Sequence, residues 1–543
     1  MSASLCIKGK KLVTISATIL AAITFSADIA SAAVSQSGEQ RNMRRVGHVD
    51  LQGRAAYHPD VIQYPDGRVI AFVGTHSNTT DNGPRPNPLK AGSPVEPNGT
   101  MIVDVTDPRR PVEKFHIPGP ITSGAAQTQS NRMCLGSDLP GGVPGRVYMM
   151  RNVQTNTLAV SGYEVWDVTD VTNPTLVGAL RDLRNTHKHW WECKTGIAYL
   201  PGSKNTPAWR QRQSMMIVDW KTPASPIYLR TFGLPGGQPS GTGPVPPSLH
   251  GAISAHEHPN AAGRLARGAG PDDIIGNRLY LAYGVGDDGV LQVLDRKKLL
   301  PPGYGGSFTG NPDDPSNAEL EAAQTSILWM SPDQGGHTSF PVFGLTPKSY
   351  QDFTEFKTRD IVLLASESTA DLCQEAPHWS FIVDVTVENS KTAPPGTRLQ
   401  QNPWQGPMVL STMWVDPRAG EKFPRGNYCK RGARYGVHSS EENFHNPYYG
   451  RLTFIAYFTG GVRAWDIREP QGPVEVGFYV PVSNALTEPA GYMTNNLEVD
   501  NRGFIYAVDR NGAGLDIIEL RGQARRIGLG LDRLGDRDDD DDD

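Results

Sequence analysis

Thirteen histidines are spread along the 543-residue chain, and most occupy one kind of place. They stand in short polar segments that each precede an apolar run: Tyr57-His58; His187-Lys-His189-Trp-Trp-Glu192; His250, then His256-Glu257-His258; His337; and His438 with Glu441, Glu442 and His445. Two more segments in the same position carry Gln127 to Asn131 and Asn495-Asn496-Leu-Glu498. Imidazole suits zinc, copper, iron or nickel, and a nearby carboxylate can complete a ligand set or orient a ligating ring. His189, His256, His337 and His438 are therefore the expected metal ligands, with His58, His250 and His445 next. Glu192, Glu257 and Glu441 are the expected acid–base carboxylates. The expected cofactor is a transition metal: copper, zinc or iron. The chain has no His-Glu-x-x-His and no Gly-x-Ser-x-Gly, which argues against a helix-borne zinc site and an α/β-hydrolase nucleophile.

Histidines this far apart in sequence can share a site only if the fold returns them to one place, and a repeated phrase supplies the means. It reads Met101-Ile-Val-Asp104-Val-Thr-Asp-Pro108, Tyr163-Glu-Val-Trp-Asp167, Met216-Ile-Val-Asp219, Leu291-Gln-Val-Leu-Asp295, Phe381-Ile-Val-Asp384 and Val462-Arg-Ala-Trp-Asp466, with a weaker echo at Leu515-Asp-Ile-Ile-Glu519. An apolar, β-branched or aromatic run precedes each copy, and a Pro-containing turn and a further strand follow most of them. Such a period means stacked copies of one supersecondary unit. Asp at the end of each phrase is expected to bond the backbone two residues on. Asn317 to Thr325 is the one stretch that reads as a short helix. Seven units of about four strands predict an all-β chain forming a single seven-bladed β-propeller. The last copy lacks an outer strand, and Arg45-Val-Gly-His-Val-Asp-Leu51 resembles the outer strands of other copies. The expected closure pairs this N-terminal strand into the last blade and removes two open sheet edges.

The phrase Ile-Val-Asp-Val-Thr-Asp-Pro with its following Pro-Val strand resembles the LVIVD-repeat family of β-propellers, from about Arg45 to Gly522. That resemblance implies the fold and leaves function open, because propellers host unrelated activities. His-ligated propellers such as the selenium-binding-protein and carotenoid-oxygenase families are similar in layout, without a shared motif. Two functions are compatible with this: a metal-dependent oxidoreductase or lyase acting on a small molecule, or a non-catalytic propeller presenting loops to a protein, glycan or surface partner. Long Pro- and Gly-rich inserts at Thr75 to Asn98, Phe232 to Leu249, Pro301 to Glu319 and Thr386 to Pro407 favour more than a bare scaffold.

The net charge of −5 gives no basic field for nucleic acid. Residues 1–32 read as a signal peptide, with Lys8, Lys10 and Lys11 before an apolar stretch and Ala30-Ser-Ala32 at its end. Residues 33–44 read as a linker, 45–522 as the propeller, and 523–543 as a disordered acidic tail. The expected location is the periplasm or the exterior, with no membrane span after cleavage. Four cysteines remain there, and two disulfides are expected: Cys373 with Cys429, and Cys134 with Cys193. Glu367, in a loop after an apolar run, fits either the mouth that holds Cys373 and Cys429 or turn capping, and turn capping is expected.

Overall fold

The computed structural model describes residues 38–76, 83–121, 127–262, 274–286, 288–353, 357–388 and 406–532. The leader at 1–32, the first residues of the segment read as a linker, and the acidic run at the end lie outside them, so those readings concern residues not described.

The chain is all-β, built from antiparallel four-stranded meanders whose strands bond in sequence order. In the first, Ala56–Gln63, Val69–Thr75, Gly99–Asp104 and Val112–Pro118 lie side by side. The same order recurs from Asn131–Leu135 to Thr175–Arg181, Trp190–Trp191 to Ile227–Phe232, Leu249–Ser254 to Gln324–Trp329, and Gly336–Leu345 to Met408–Met413. A nine-stranded sheet holds two more such meanders, one from Tyr435–Ser440 to Val474–Val480 and one from Thr494–Val499 to Leu515–Leu520; Phe458 opposite Thr494 joins them.

The second strand of each meander is an apolar run covered on both faces; Ile361 to Ala365 are each at most 1% exposed. Apolar clusters bridge consecutive meanders, and one joins Val69, Val73, Met101 and Val103 of the first to Val508, Leu515 and Ile517 of the last. The first strand of every meander touches the first strand of the next, and Thr494–Val499 touches Ala56–Gln63, so the contacts run round a closed circuit.

Each repeat Asp ends its strand as expected. Backbone amides two residues on donate to Asp104, Asp167, Asp219, Asp295, Asp384 and Asp466 at 2.8–3.1 Å. The helix at Asn317–Ala323 is closed by a capping box between Ser316 and Glu319. Both disulfides form, Cys134–Cys193 and Cys373–Cys429, each with Cα atoms 5.4 Å apart. No helix among the described residues is long and apolar enough to cross a membrane.

The N-terminal strand, Met43–Val49, pairs with Leu515–Leu520, from Met43 opposite Leu520 to Val49 opposite Leu515. The segment read as a linker differs from expectation: Glu39–Arg41 adds a strand against Phe478 to Val480. That edge would otherwise leave backbone groups open, and Glu39 ion-pairs with Arg425 and Arg431 at 3.0 and 3.1 Å. Positions 523–528, read as the start of the acidic tail, likewise differ from expectation. Gly522–Gly528 is a helix whose Ala524 and Ile527 are buried in a cluster with Tyr448 and Leu452.

Candidate metal centre

The first strands share an irregularity that positions the site. Their pairing skips a residue near the start: between Ala56 and His58, between Leu249 and Gly251, and between Gly336 and Thr338. The residues left out of register are Tyr57, His250 and His337. A longer skip from Tyr435 to Ser439 frees His438, and one from Thr494 to Leu497 frees Asn495. A bulge re-aims the side chain of its extra residue, and here the freed side chains turn toward the centre of the circuit. His187 and Gln129 stand just before the corresponding strands Trp190–Trp191 and Asn131–Leu135.

Four imidazoles meet there. Ring centroids are 4.4 Å apart for His187 and His250, 3.7 Å for His250 and His337, and 4.1 Å for His337 and His438. Tyr57 Oη lies 3.5 Å from His187 Nε2, 3.5 Å from His250 Nε2 and 3.2 Å from His337 Nε2. Three of the rings have their other nitrogen engaged by an oxygen that only accepts. His250 Nδ1 donates to the His337 carbonyl at 2.8 Å, His438 Nδ1 to the Asn495 carbonyl at 2.7 Å, and His187 Nδ1 to Gln129 Oε1 at 2.8 Å. Each Nε2 is thereby left as a lone pair. His187 Nε2 and His250 Nε2 are 2.7 Å apart. Burial holds these rings neutral: desolvation, aided by the charge of Lys188, pushes His187 down to about 3. It also drives His250, His337 and His438 well below the ordinary 6.5.

A second tier comes from the residues immediately after the apolar runs: His76 after Val69–Thr75, Glu367 after Arg359–Ser366, and Arg510 after Ile505–Asp509. Glu367, expected from sequence to cap a turn, instead faces the rings and two arginines. Its oxygens lie 3.8 Å from His337 Nε2 and 3.6 Å from His438 Nε2, and 3.3 and 3.7 Å from Arg434 and Arg510. His250, His337 and Glu367 present three ligand atoms within 4.8 Å of one another, all buried. Above them opens a cavity of about 340 Å³ whose wall includes Tyr57, His187, His250, Glu367 and Arg510.

The structure thus brings together two of the four residues expected as ligands, His337 and His438, and sets His187 and His250 beside them in place of His189 and His256. His189 lies two residues further along an extended segment, about 6–7 Å at 3.3 Å per residue; its ring packs edge-on against Tyr163 at 5.3 Å. His256 sits in the short turn Ala255–Glu257 at the opposite end of the strand that carries His250, with Nδ1 3.3 Å from the Gly276 carbonyl.

The three expected carboxylates are engaged elsewhere. Glu192 is clasped by Arg296 at 2.8 and 2.6 Å and accepts from Ser254 and Tyr199. Glu257 is half-buried near Glu192, and desolvation with that neighbouring charge raises it to about 7. Glu441 accepts from the Asn443 amide and Asn446, and burial raises it to about 8.

An ionic layer, also built on the first strands, centres on Glu442. It binds Lys188 and Arg132, with His58 Nε2 3.8 Å away. Sequence reasoning passed over Tyr57, His187, His76 and Arg510 as site residues. The first two lay in segments already singled out, and the last two follow directly on apolar runs, a signal available in the sequence.

No protein-family model matches the chain, and no curated protein matches it. Solved structures of propeller proteins are similar at low identity. The β-propeller domain of Cps50 (Swd1) from Myceliophteria thermophila is 9% identical with a TM-score of 0.41, covering 86% of this chain and 97% of that one. The Dos1 propeller is 9% identical at 0.40, covering 88% and 96%. Hydrazine synthase from Kuenenia stuttgartiensis is 12% identical at 0.42, covering 88% and 97%. These likenesses carry no argument about the chemistry of the site.

Proposed function

We propose that the chain is an exported seven-bladed β-propeller of the LVIVD-repeat type whose centre binds one transition-metal ion through His187, His250, His337 and His438. On this reading it is a metal-dependent enzyme, oxidoreductase-like, acting on a small molecule admitted through the cavity. The observation that carries the proposal is the fixed tautomer of three rings: each Nδ1–H is spent on a carbonyl or amide oxygen, and each Nε2 lone pair is aimed inward. His187 Nε2 and His250 Nε2, 2.7 Å apart, need a positive charge between them, either a shared proton or a metal ion. Ligating histidines characteristically donate their second nitrogen in this way, which sets both ring orientation and basicity. The all-imidazole donor set fits copper, zinc or iron better than magnesium or calcium.

A metal held there would act as a Lewis acid or redox centre toward a bound molecule. The residues of the chain do the rest. Glu367 faces the Nε2 atoms of His337 and His438 at 3.8 and 3.6 Å and would offset part of the ion's charge, Tyr57 Oη can hold or pass a proton at the cavity floor, and the strand bulges keep the rings of His250, His337 and His438 in place. The two disulfides agree with an oxidising compartment.

Metal analysis of the purified protein tests the proposal. One equivalent of a transition metal is expected, lost in His187→Ala and His250→Ala and retained in His189→Ala and His256→Ala. Metal content that is zero, or that ignores the first pair, removes the enzyme reading and leaves a propeller that binds partners through its loops.

A further inference from the structure

The cavity bordered by His187 and His250 has an unbalanced charge. Arg434 and Arg510 both lean on the single carboxylate of Glu367, at 3.3 and 3.7 Å. The exposed carboxylate of Asp371 acts on Arg510 from further off. Arg510 is 7% exposed, forms part of the cavity wall, and has a buried Nε with no hydrogen-bond acceptor. Its Nη2 meets His76 Nε2 at 3.3 Å, and its guanidinium lies over the Tyr57 ring at 5.9 Å, which places it beside the imidazoles. Arg212 adds an exposed guanidinium at the rim. A buried cation with an idle donor requires a partner, and the planar guanidinium fork matches a carboxylate. Gln127, Gln129, Gln154, Gln213 and Ser248 line most of the rest of the wall, with Val285 apolar among them, so most of the occupant is polar.

Resting on the metal-site reading above, we propose that the substrate is a small polar organic carboxylate. Arg510 receives its carboxylate with Arg212 guarding the entrance, and its other end faces His187, His250 and Tyr57. A volume of about 340 Å³ lies at the small end of ligand cavities, about 300–1,000 Å³.

Calorimetric titration of the full chain, metal-free and metal-loaded, with lactate, malate and pyruvate tests this, with lactamide as the uncharged control and sulfate as a non-planar anion. At least one acid is expected to bind while lactamide and sulfate bind at least about tenfold more weakly. Arg510→Gln should weaken the acid by at least about tenfold, and Arg212→Ala by a few-fold, with metal content unchanged in both. Because Arg212 is exposed, its variant keeps the test valid if Arg510→Gln fails to fold. The proposal is overturned if none of the acids binds, if lactamide or sulfate competes equally, or if neither arginine variant changes affinity. Arginine-dependent acid binding without any metal would sustain this inference and reject the metal site; metal binding without acid binding would do the reverse.

Discussion

Replacing Glu442 by Gln probes whether the first strands meet around a common centre. Glu442 and its partners lie far apart in sequence, Lys188 by 254 positions and Arg132 by 310. Their side chains are only 1%, 4% and 11% exposed. Burial alone would raise the Glu442 carboxyl, yet the charges of Lys188 and Arg132, with His58 close by, hold it well below the usual carboxylate range. Glu442→Gln keeps the shape and takes from two buried cations their nearest carboxylate, leaving only Asp60 and Glu498 further off, and breaking a buried ion pair from one side costs about 3–5 kcal/mol. Equilibrium urea unfolding followed by tryptophan fluorescence should show that loss at pH 7. Adding Lys188→Met should recover part of it, with a coupling of about 1–3 kcal/mol in the double-mutant cycle. The sign with pH follows from the depressed carboxyl: its contribution is present above the ordinary value of 4.5 and fades as pH falls through the folded value. The gap between wild type and variant should therefore shrink in acid. A loss under about 1 kcal/mol at pH 7 with no coupling would refute a shared centre for these three strands.

Glu164 is held at about 2: burial acts to raise it, but Arg151 and Arg181 outweigh burial. Against an ordinary 4.5 this contributes about 3 kcal/mol, present above pH 4.5 and lost toward pH 2. Glu164→Gln should abolish that acid limb in a pH series of unfolding midpoints, and an unchanged limb would reject the assignment. Removing the Cys373–Cys429 crosslink, 56 residues apart, by paired Ser substitution should cost about 4 kcal/mol on the loop-entropy estimate; denaturant midpoints equal to wild type would contradict it. Deleting residues 38–49 exposes the Leu515–Leu520 edge, so light scattering should report self-association. A monomer of unchanged melting temperature would show that the closing strand is dispensable.

The repeat was legible from sequence because each unit carries its own local chemistry. An apolar run must be a covered strand, and an Asp with a free amide two residues on ends a strand whatever surrounds it. The same logic found the closing strand Met43–Val49, both cysteine pairings and the helix at Asn317–Ala323. Position along the channel was not legible. His187 and His189 are equivalent as letters, and only the height at which each first strand enters the centre selects His187. The bulge at Leu249–Gly251 chooses His250 over His256, and pairing register is a property of two strands that are distant in sequence until folded. Glu367 read as a turn residue because its local segment is a turn, yet its carboxylate answers to Arg434, Arg510, His337 and His438, which arrive from other units. Burial then fixes the chemistry that sequence left open: it holds the imidazoles neutral, raises Glu257 and Glu441, and leaves Arg510 Nε short of an acceptor. Composition and period determined which strands form; the desolvated centre, which exists only once the strands have converged, decided which side chains can act.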